Sequence, residues 1–180
     1  IDVPVSGVTT GTMADKHVGT GKAVSVTGLT LSGADALNYS IAGTAGITVN
    51  ITPLAIAAVW AGVNRVYDGS VNATATGTSA GVLAGDALTI RGSGQFTGTG
   101  AKNVGTAKAV DITSASLSGA SARDYTLTST TGSTTADITP RNITPSFAGG
   151  SRVYDGGTSA PVTSTTGGFI AGDSVTMDQT

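Results

Sequence analysis

Cysteine is absent from the 180 residues, and so is glutamate: all 11 acidic side chains are Asp. No disulfide can staple such a chain, and no thiol is open to oxidation. Histidine occurs once, at His17. General acid–base catalysis rests on a tuned His or on paired carboxylates, so the sequence implies no enzyme, no catalytic residue and no cofactor. Charged residues make up 11% and aromatic ones 4%. Nine cations scattered against a net charge of −2 form no basic patch, which excludes a nucleic-acid partner. There is no apolar run of membrane-spanning length and no basic amphipathic helix, so no membrane insertion is expected of this segment.

What is abundant is Gly, with 27 residues, set among Thr, Ser and Ala, and a hydrophobic fraction of 39% that is too high and too regularly placed for disorder. The order has a period. Val66-Tyr67-Asp68-Gly69 recurs as Val153-Tyr154-Asp155-Gly156, Ile51-Thr52-Pro53 as Ile138-Thr139-Pro140, and Ala84-Gly85-Asp86 as Ala171-Gly172-Asp173, each 87 positions on. Lys16-His17-Val18-Gly19-Thr20 is echoed by Lys102-Asn103-Val104-Gly105-Thr106, and Tyr39 by Tyr125, at a spacing of 86. Residues 16–41 match 102–127 at 14 of 26 positions. One inserted residue between Tyr39 and Ile51 reconciles the two spacings. A period of this length is that of a small domain rather than a solenoid coil. The expected organisation is the back part of one copy over 1–53, a whole copy over 54–140 and the front of a third over 141–180, a window on a longer array.

Apolar residues alternate with polar ones at period 2, the mark of a half-buried strand. Ile47, Val49 and Ile51 share one face, and Leu54, Ile56, Ala58 and Trp60 follow with the phase flipped, as do Arg141, Ile143, Pro145 and Phe147 one period later. The flip falls at Pro53 and Pro140, which lack a ladder donor. These two prolines read as seams where one module's last strand runs into the next module's first. Val24 with Val26, Tyr39 with Ile41, Leu88 with Ile90, Val110 with Ile112, and Tyr125 with Leu127 add further strands, with a bulge expected at Thr27-Gly28. No helical periodicity is present. The chain is expected to be all-β, with about six or seven short strands per copy in an immunoglobulin-like sandwich; a β-grasp-like repeat is the alternative, disfavoured for want of a helix.

Asp-Gly in each Val-Tyr-Asp-Gly marks a turn, because Gly accepts positive φ and Asp caps its own turn. Tyr67 and Tyr154 are expected to pack over a module edge with the hydroxyl tied to backbone, or else to offer a platform for a sugar ring. Trp60 and Phe147 are expected in the core.

Val-Tyr-Asp-Gly, Ala-Gly-Asp, Lys-x-Val-Gly-Thr-x-Lys-Ala-Val, Leu-Ser-Gly-Ala with a following Tyr, and Ile-Thr-Pro occur in the order that resembles the YDG repeat of large bacterial adhesins similar to filamentous haemagglutinin, exported by two-partner secretion. The resemblance runs through all 180 residues. It implies an extracellular or cell-surface location and a stalk or adhesive role, and it brings no catalytic residue. The Asp124 that precedes Tyr125 is replaced by Asn38 before Tyr39.

Three chemistries remain to be weighed. Asp68 with Asp86, and Asp155 with Asp173, recur in step and offer oxygen ligands for calcium, yet no Asp-x-Asp-x-Asp loop is present and turn capping is the preferred role. Lys16, Lys22, Lys102 and Lys108 are candidates for an isopeptide crosslink. Asn38, Asn50, Asn72 and Asn142 head glycan acceptor triplets. The function expected is a non-enzymatic stalk or spacer in an adhesin or biofilm matrix fibre, its partners the neighbouring copies of the same chain. Weak multivalent binding of surface polysaccharide and assembly of several chains into a filament are the alternatives.

Overall fold

The computed structural model describes residues 10–43 and 46–178. Among these the chain is all-β. Its thirteen strands are β1 (Gly11–Met13), β2 (Gly19–Val26), β3 (Thr48–Ile51), β4 (Leu54–Ile56), β5 (Val59–Gly62), β6 (Arg65–Val66), β7 (Asn72–Thr78), β8 (Thr89–Phe96), β9 (Gly105–Ser118), β10 (Tyr125–Leu127), β11 (Gly132–Thr139), β12 (Thr144–Gly149) and β13 (Val162–Gly167). The only helical turns are short 3-10 segments at Ala36–Asn38 and Ala122–Asp124. No helix among the described residues is long and apolar enough to cross a membrane.

The chain forms two compact units, which divide it differently from the sequence periods. The first comprises residues 1–58, 79–89 and 117–128, the second residues 59–78, 90–116 and 129–180. In the first, β1, β2 and β3 form an antiparallel sheet, and β4 lies parallel to β10 with Tyr125 opposite Leu54 and Leu127 opposite Ile56. The second is built on a six-stranded sheet in the order β5-β7-β8-β9-β11-β6, in which β6 and β11 run parallel, and carries the β12–β13 hairpin.

The core of the second unit is Ala73, Ala75, Phe96, Val110, Ile112, Ala136 and Ile138, with Trp60, Tyr67 and Ala101 packed against it. Its residues follow the two-residue period: β7 reads Asn-Ala-Thr-Ala-Thr-Gly-Thr, with Ala73 and Ala75 inward and Thr outward. Gly77, Gly92 and Gly132 give the Trp60 indole a bed; a Cβ on any of them would come within 3.0 Å of it. Trp60 is thus half-buried on the core. Phe147, by contrast, is 58% exposed, which corrects its placement in the core. Its cross-strand partner is Ser164 where Trp60 faces Gly77, and its sheet has only two strands to cover it.

Two further expectations are corrected. The bulge is not at Thr27-Gly28: the register shifts fall between Gly19 and Lys22, and opposite Gly105 and Lys108 between Ala136 and Ile138. At each shift one residue is left-handed, Gly21 at φ 60° and Ala107 at φ 48°, and its amide donates to a side chain on the facing strand, Asn50 or Asp137, at 2.8 Å. That hydrogen bond fixes a conformation that costs Ala about 1–2 kcal/mol. Tyr39 with Ile41 forms no strand, although Tyr125 with Leu127 does.

Candidate functional site

Two of the hollows among the described residues, one in each unit, are built from equivalent residues. The first, about 190 Å³, is lined by Val18, Leu54, Leu83 and Asp86; the second, about 240 Å³, by Val104, Arg141, Ile170 and Asp173. Each pair is separated by 86 or 87 positions. Both centre on the Ala-Gly-Asp turn. Gly85 and Gly172 are left-handed, φ 87° and 92°, and the Asp amide closes the turn onto the carbonyl of Leu83 or Ile170 at 3.1 Å.

The Asp side chain is where successive sequence copies meet. Asp86 accepts Lys16 Nζ on Oδ1 at 2.5 Å and the Tyr125 hydroxyl on Oδ2 at 2.6 Å, while the Tyr125 oxygen accepts the Leu83 amide at 3.0 Å. Lys16 belongs to the first copy, Asp86 and Tyr125 to the second. Asp124 closes the same joint, accepting the Val18 amide at 2.9 Å and facing His17 Nδ1 at 2.6 Å. In the second unit the Tyr67 hydroxyl, from the second copy, donates to the carboxylate of Asp173, from the third, at 2.8–2.9 Å. Tyr67 is therefore tied to a carboxylate, which corrects the expected backbone partner. Tyr154 is 92% exposed.

Electrostatics follow these contacts. The hydrogen bond from Lys16, then that from Tyr125, holds the Asp86 carboxyl below its usual range, and Asp86 in turn raises the Lys16 ammonium. The phenols of Tyr125 and Tyr67 are both raised, chiefly by hydrogen bonding to Asp86 and Asp173. Asp124 is lowered, first by the Val18 amide and then by His17. An isopeptide bond needs a neutral amine, so the Lys16–Asp86 pair is poised as an ion pair rather than as its precursor. Lys22 reaches Asp15 and the His17 carbonyl, and Lys108 the Gly100 carbonyl. Replacing Asp86 by Asn is expected to bring the Tyr125 phenol back down toward its ordinary value while leaving Tyr67 raised. Carbon-13 NMR of ring-labelled tyrosines through alkaline titration measures both in one sample.

The Val-Tyr-Asp-Gly motif sits beside this joint. Gly69 and Gly156 take φ 78° and 77°, and Asp68 and Asp155 cap their turns through the amides of Ser70 and Gly157 at 2.9 and 2.8 Å. Val66 and Val153 are exposed, as are the seam prolines Pro53 and Pro140; Pro140 lines the second hollow. Each Asp also pairs with an Arg three residues before it, Arg65 with Asp68 and Arg152 with Asp155. Reading the motif one residue earlier, as Arg-Val-Tyr-Asp-Gly, would have found both cations. Arg65 further donates to the Ser70 carbonyl at 2.5 Å and lies 5.2 Å from the Phe96 ring centroid, a cation–π contact.

The calcium pairing of these aspartates does not form: Asp68 and Asp155 face arginines, Asp86 faces Lys16 and Tyr125, and Asp173 faces Tyr67. No group of three or more His or Asp side chains among the described residues is placed to hold a metal ion. Asn38, Asn50, Asn72 and Asn142 are all exposed. The Arg65 guanidinium lowers Asp68 from 3.8 to about 2. A depressed folded value means that the pair's contribution is fully present above about 3.8 and disappears as pH falls through about 2. The side chain is half exposed, so that contribution is small. Carboxyl NMR should place the Asp68 midpoint near the lower value, and Arg65→Met should raise it part of the way back, the Ser70 amide and hydroxyl still holding it below the ordinary range.

The model of the YDG domain matches residues 2–46 and 50–132, more than half of the chain. The chain belongs to the YDG domain family. No curated protein and no solved structure matches it. In this YDG-domain chain the Tyr-Asp-Gly residues build a turn beside a joint between copies, and the chemistry gathered there is hydrogen bonding and ion pairing.

Proposed function

We propose that this chain is a non-enzymatic spacer: tandem β modules, of the immunoglobulin-like sandwich kind, joined end to end in an extracellular or cell-surface bacterial adhesin or matrix fibre. The observation that carries the reading is the clasp at Asp86, where Lys16 of one sequence copy and Tyr125 of the next close on a single carboxylate. Asp124 adds the Val18 amide and His17 to the same junction. All of these residues lie within one compact unit, so successive sequence copies interlock in a shared fold rather than hang from a flexible linker. Each module would advance the chain by about 30–40 Å, given ordinary strand lengths. Reach then scales with copy number, and no copy needs a site of its own. The location and the adhesin context rest on the resemblance of the motifs.

Polysaccharide binding has one observation in its favour, the exposure of Tyr154 and Phe147. Their counterparts Tyr67 and Trp60 pack against the core one period earlier, so the spacer accounts for more. Small-angle scattering from the dilute chain is expected to give an elongated particle; a compact one would sink the spacer reading.

A further inference from the structure

We infer that Asp68-Gly69 is a site of spontaneous backbone modification, succinimide closure followed by isoaspartate, and that Arg65 is the residue that restrains it. The turn itself demands the susceptible pair. Gly69 is left-handed at φ 78°, and a Cβ there would come 2.7 Å from Ile170 Cγ2, so a larger residue is excluded twice over. Asp68 is required as an acceptor: its Oδ1 takes the Ser70 amide and the Ser70 hydroxyl, each at 2.9 Å. An Asp followed by Gly is open to attack by the next amide, because Gly has no side chain to shield its nitrogen.

The step balances with water alone. The Gly69 nitrogen bonds to Asp68 Cγ, the Cγ–OH bond breaks, and the hydroxyl leaves with the amide proton as water, closing a five-membered imide. Water then opens the ring. Addition at Cγ restores Asp; addition at the Asp68 main-chain carbonyl leaves the chain running through Cβ and Cγ, one carbon longer. The neutral acid is the electrophile, since its hydroxyl can leave and a carboxylate oxygen cannot.

Arg65 opposes this by keeping the carboxyl ionised and tethered. Its guanidinium pairs with Asp68 Oδ1, donates to the Ser70 carbonyl at 2.5 Å and lies 5.2 Å from the Phe96 ring centroid, so the cation is fixed by three groups. Arg65 is the cation facing Asp68, and with the Ser70 amide it brings that carboxyl down to about 2. The device recurs with the turn: Arg152 pairs with Asp155, and the Gly157 amide caps it at 2.8 Å. What it protects is the neighbouring contact. An extra backbone carbon at position 68 would push Gly69 off Ile170 and draw the adjacent Tyr67 phenol away from Asp173, both within the second unit.

The test is to hold the intact chain at neutral pH, sample it over weeks, and measure isoaspartate at each turn by mass spectrometry of digested peptides, with enzymatic carboxyl methylation as a second readout. Arg65→Met is expected to raise the rate at Asp68 about tenfold, the change in neutral fraction that one pKa unit carries, while Asp155 in the same molecules keeps the parental rate. Arg152→Met should do the reverse. Arg65→Lys, which keeps the charge but loses the planar fork, should fall between the parent and Arg65→Met. A parental rate at Asp68 in Arg65→Met overturns the inference. So does equal acceleration at Asp155, the mark of general loosening, or an Arg65→Lys chain that ages as fast as Arg65→Met.

Discussion

Phe96→Ala is expected to lower stability by about 3–5 kcal/mol, the cost of emptying an aromatic site that cannot collapse. Phe96 is 2% exposed and touches a core made otherwise of Ala, Val and Ile. Three of its seven fully buried members are alanines, which have no side chain to swing into the void. The change also removes the ring under Arg65, whose Nε is buried without an acceptor and gains from the aromatic face. Urea unfolding followed by fluorescence reports the loss directly, because the one tryptophan, Trp60, packs against the same cluster. A midpoint within error of the parent would mean that Phe96 is not the keystone of the second unit.

Gly94→Ala is expected to be nearly as costly, for the opposite reason. A Cβ at position 94 would be driven into the Asp111 carbonyl oxygen and would come within 2.8 Å of the Ile112 Cα. These are backbone atoms of the neighbouring strand β9, and no rotamer relieves them. Overpacking of this kind costs about 1–3 kcal/mol, and more where backbone must move. Hydrogen exchange should show β8 and β9 losing protection together, whereas Gly85→Ala, strained only by its φ of 87° with open space around it, should leave them protected. Unchanged protection across β9 in the Gly94 variant would contradict the close approach.

How much of this was legible beforehand depended on distance along the chain. The all-β character could be read from alternation, and the turns at Asp68-Gly69 and Asp155-Gly156 from their residue types, because both are local effects. Alternation also placed Ile56 on the apolar face of its strand, where it is 2% exposed. It overestimated Ile47 and Val49, which stay 46% and 38% exposed beside a sheet of only three strands among the described residues. The bulge at Gly21 and Ala107 was missed because Ala carries no sign of a left-handed conformation; the cue was its polar partner across the ladder, Asn50 or Asp137. The clasp was out of reach for a different reason. Tyr67 and Asp173 are 106 residues apart and Lys16 and Asp86 are 70 apart, so each pair joins neighbouring copies rather than one. A period shows that two segments are alike but not which segment of one copy touches which of the next.

The parallel pairing of β6 with β11 has a consequence for a chain that is stretched. The strand near the start of the middle copy and the strand that leaves it point the same way, held at Arg65–Ile138 and Val66–Thr139 and continued by the Tyr67 amide on the Thr139 carbonyl at 2.9 Å. Pulling the two termini apart would slide these strands in opposite directions, loading their hydrogen bonds in shear and all at once instead of peeling them one by one. Tension along the polypeptide therefore meets its resistance at the place where each copy hands over to its successor.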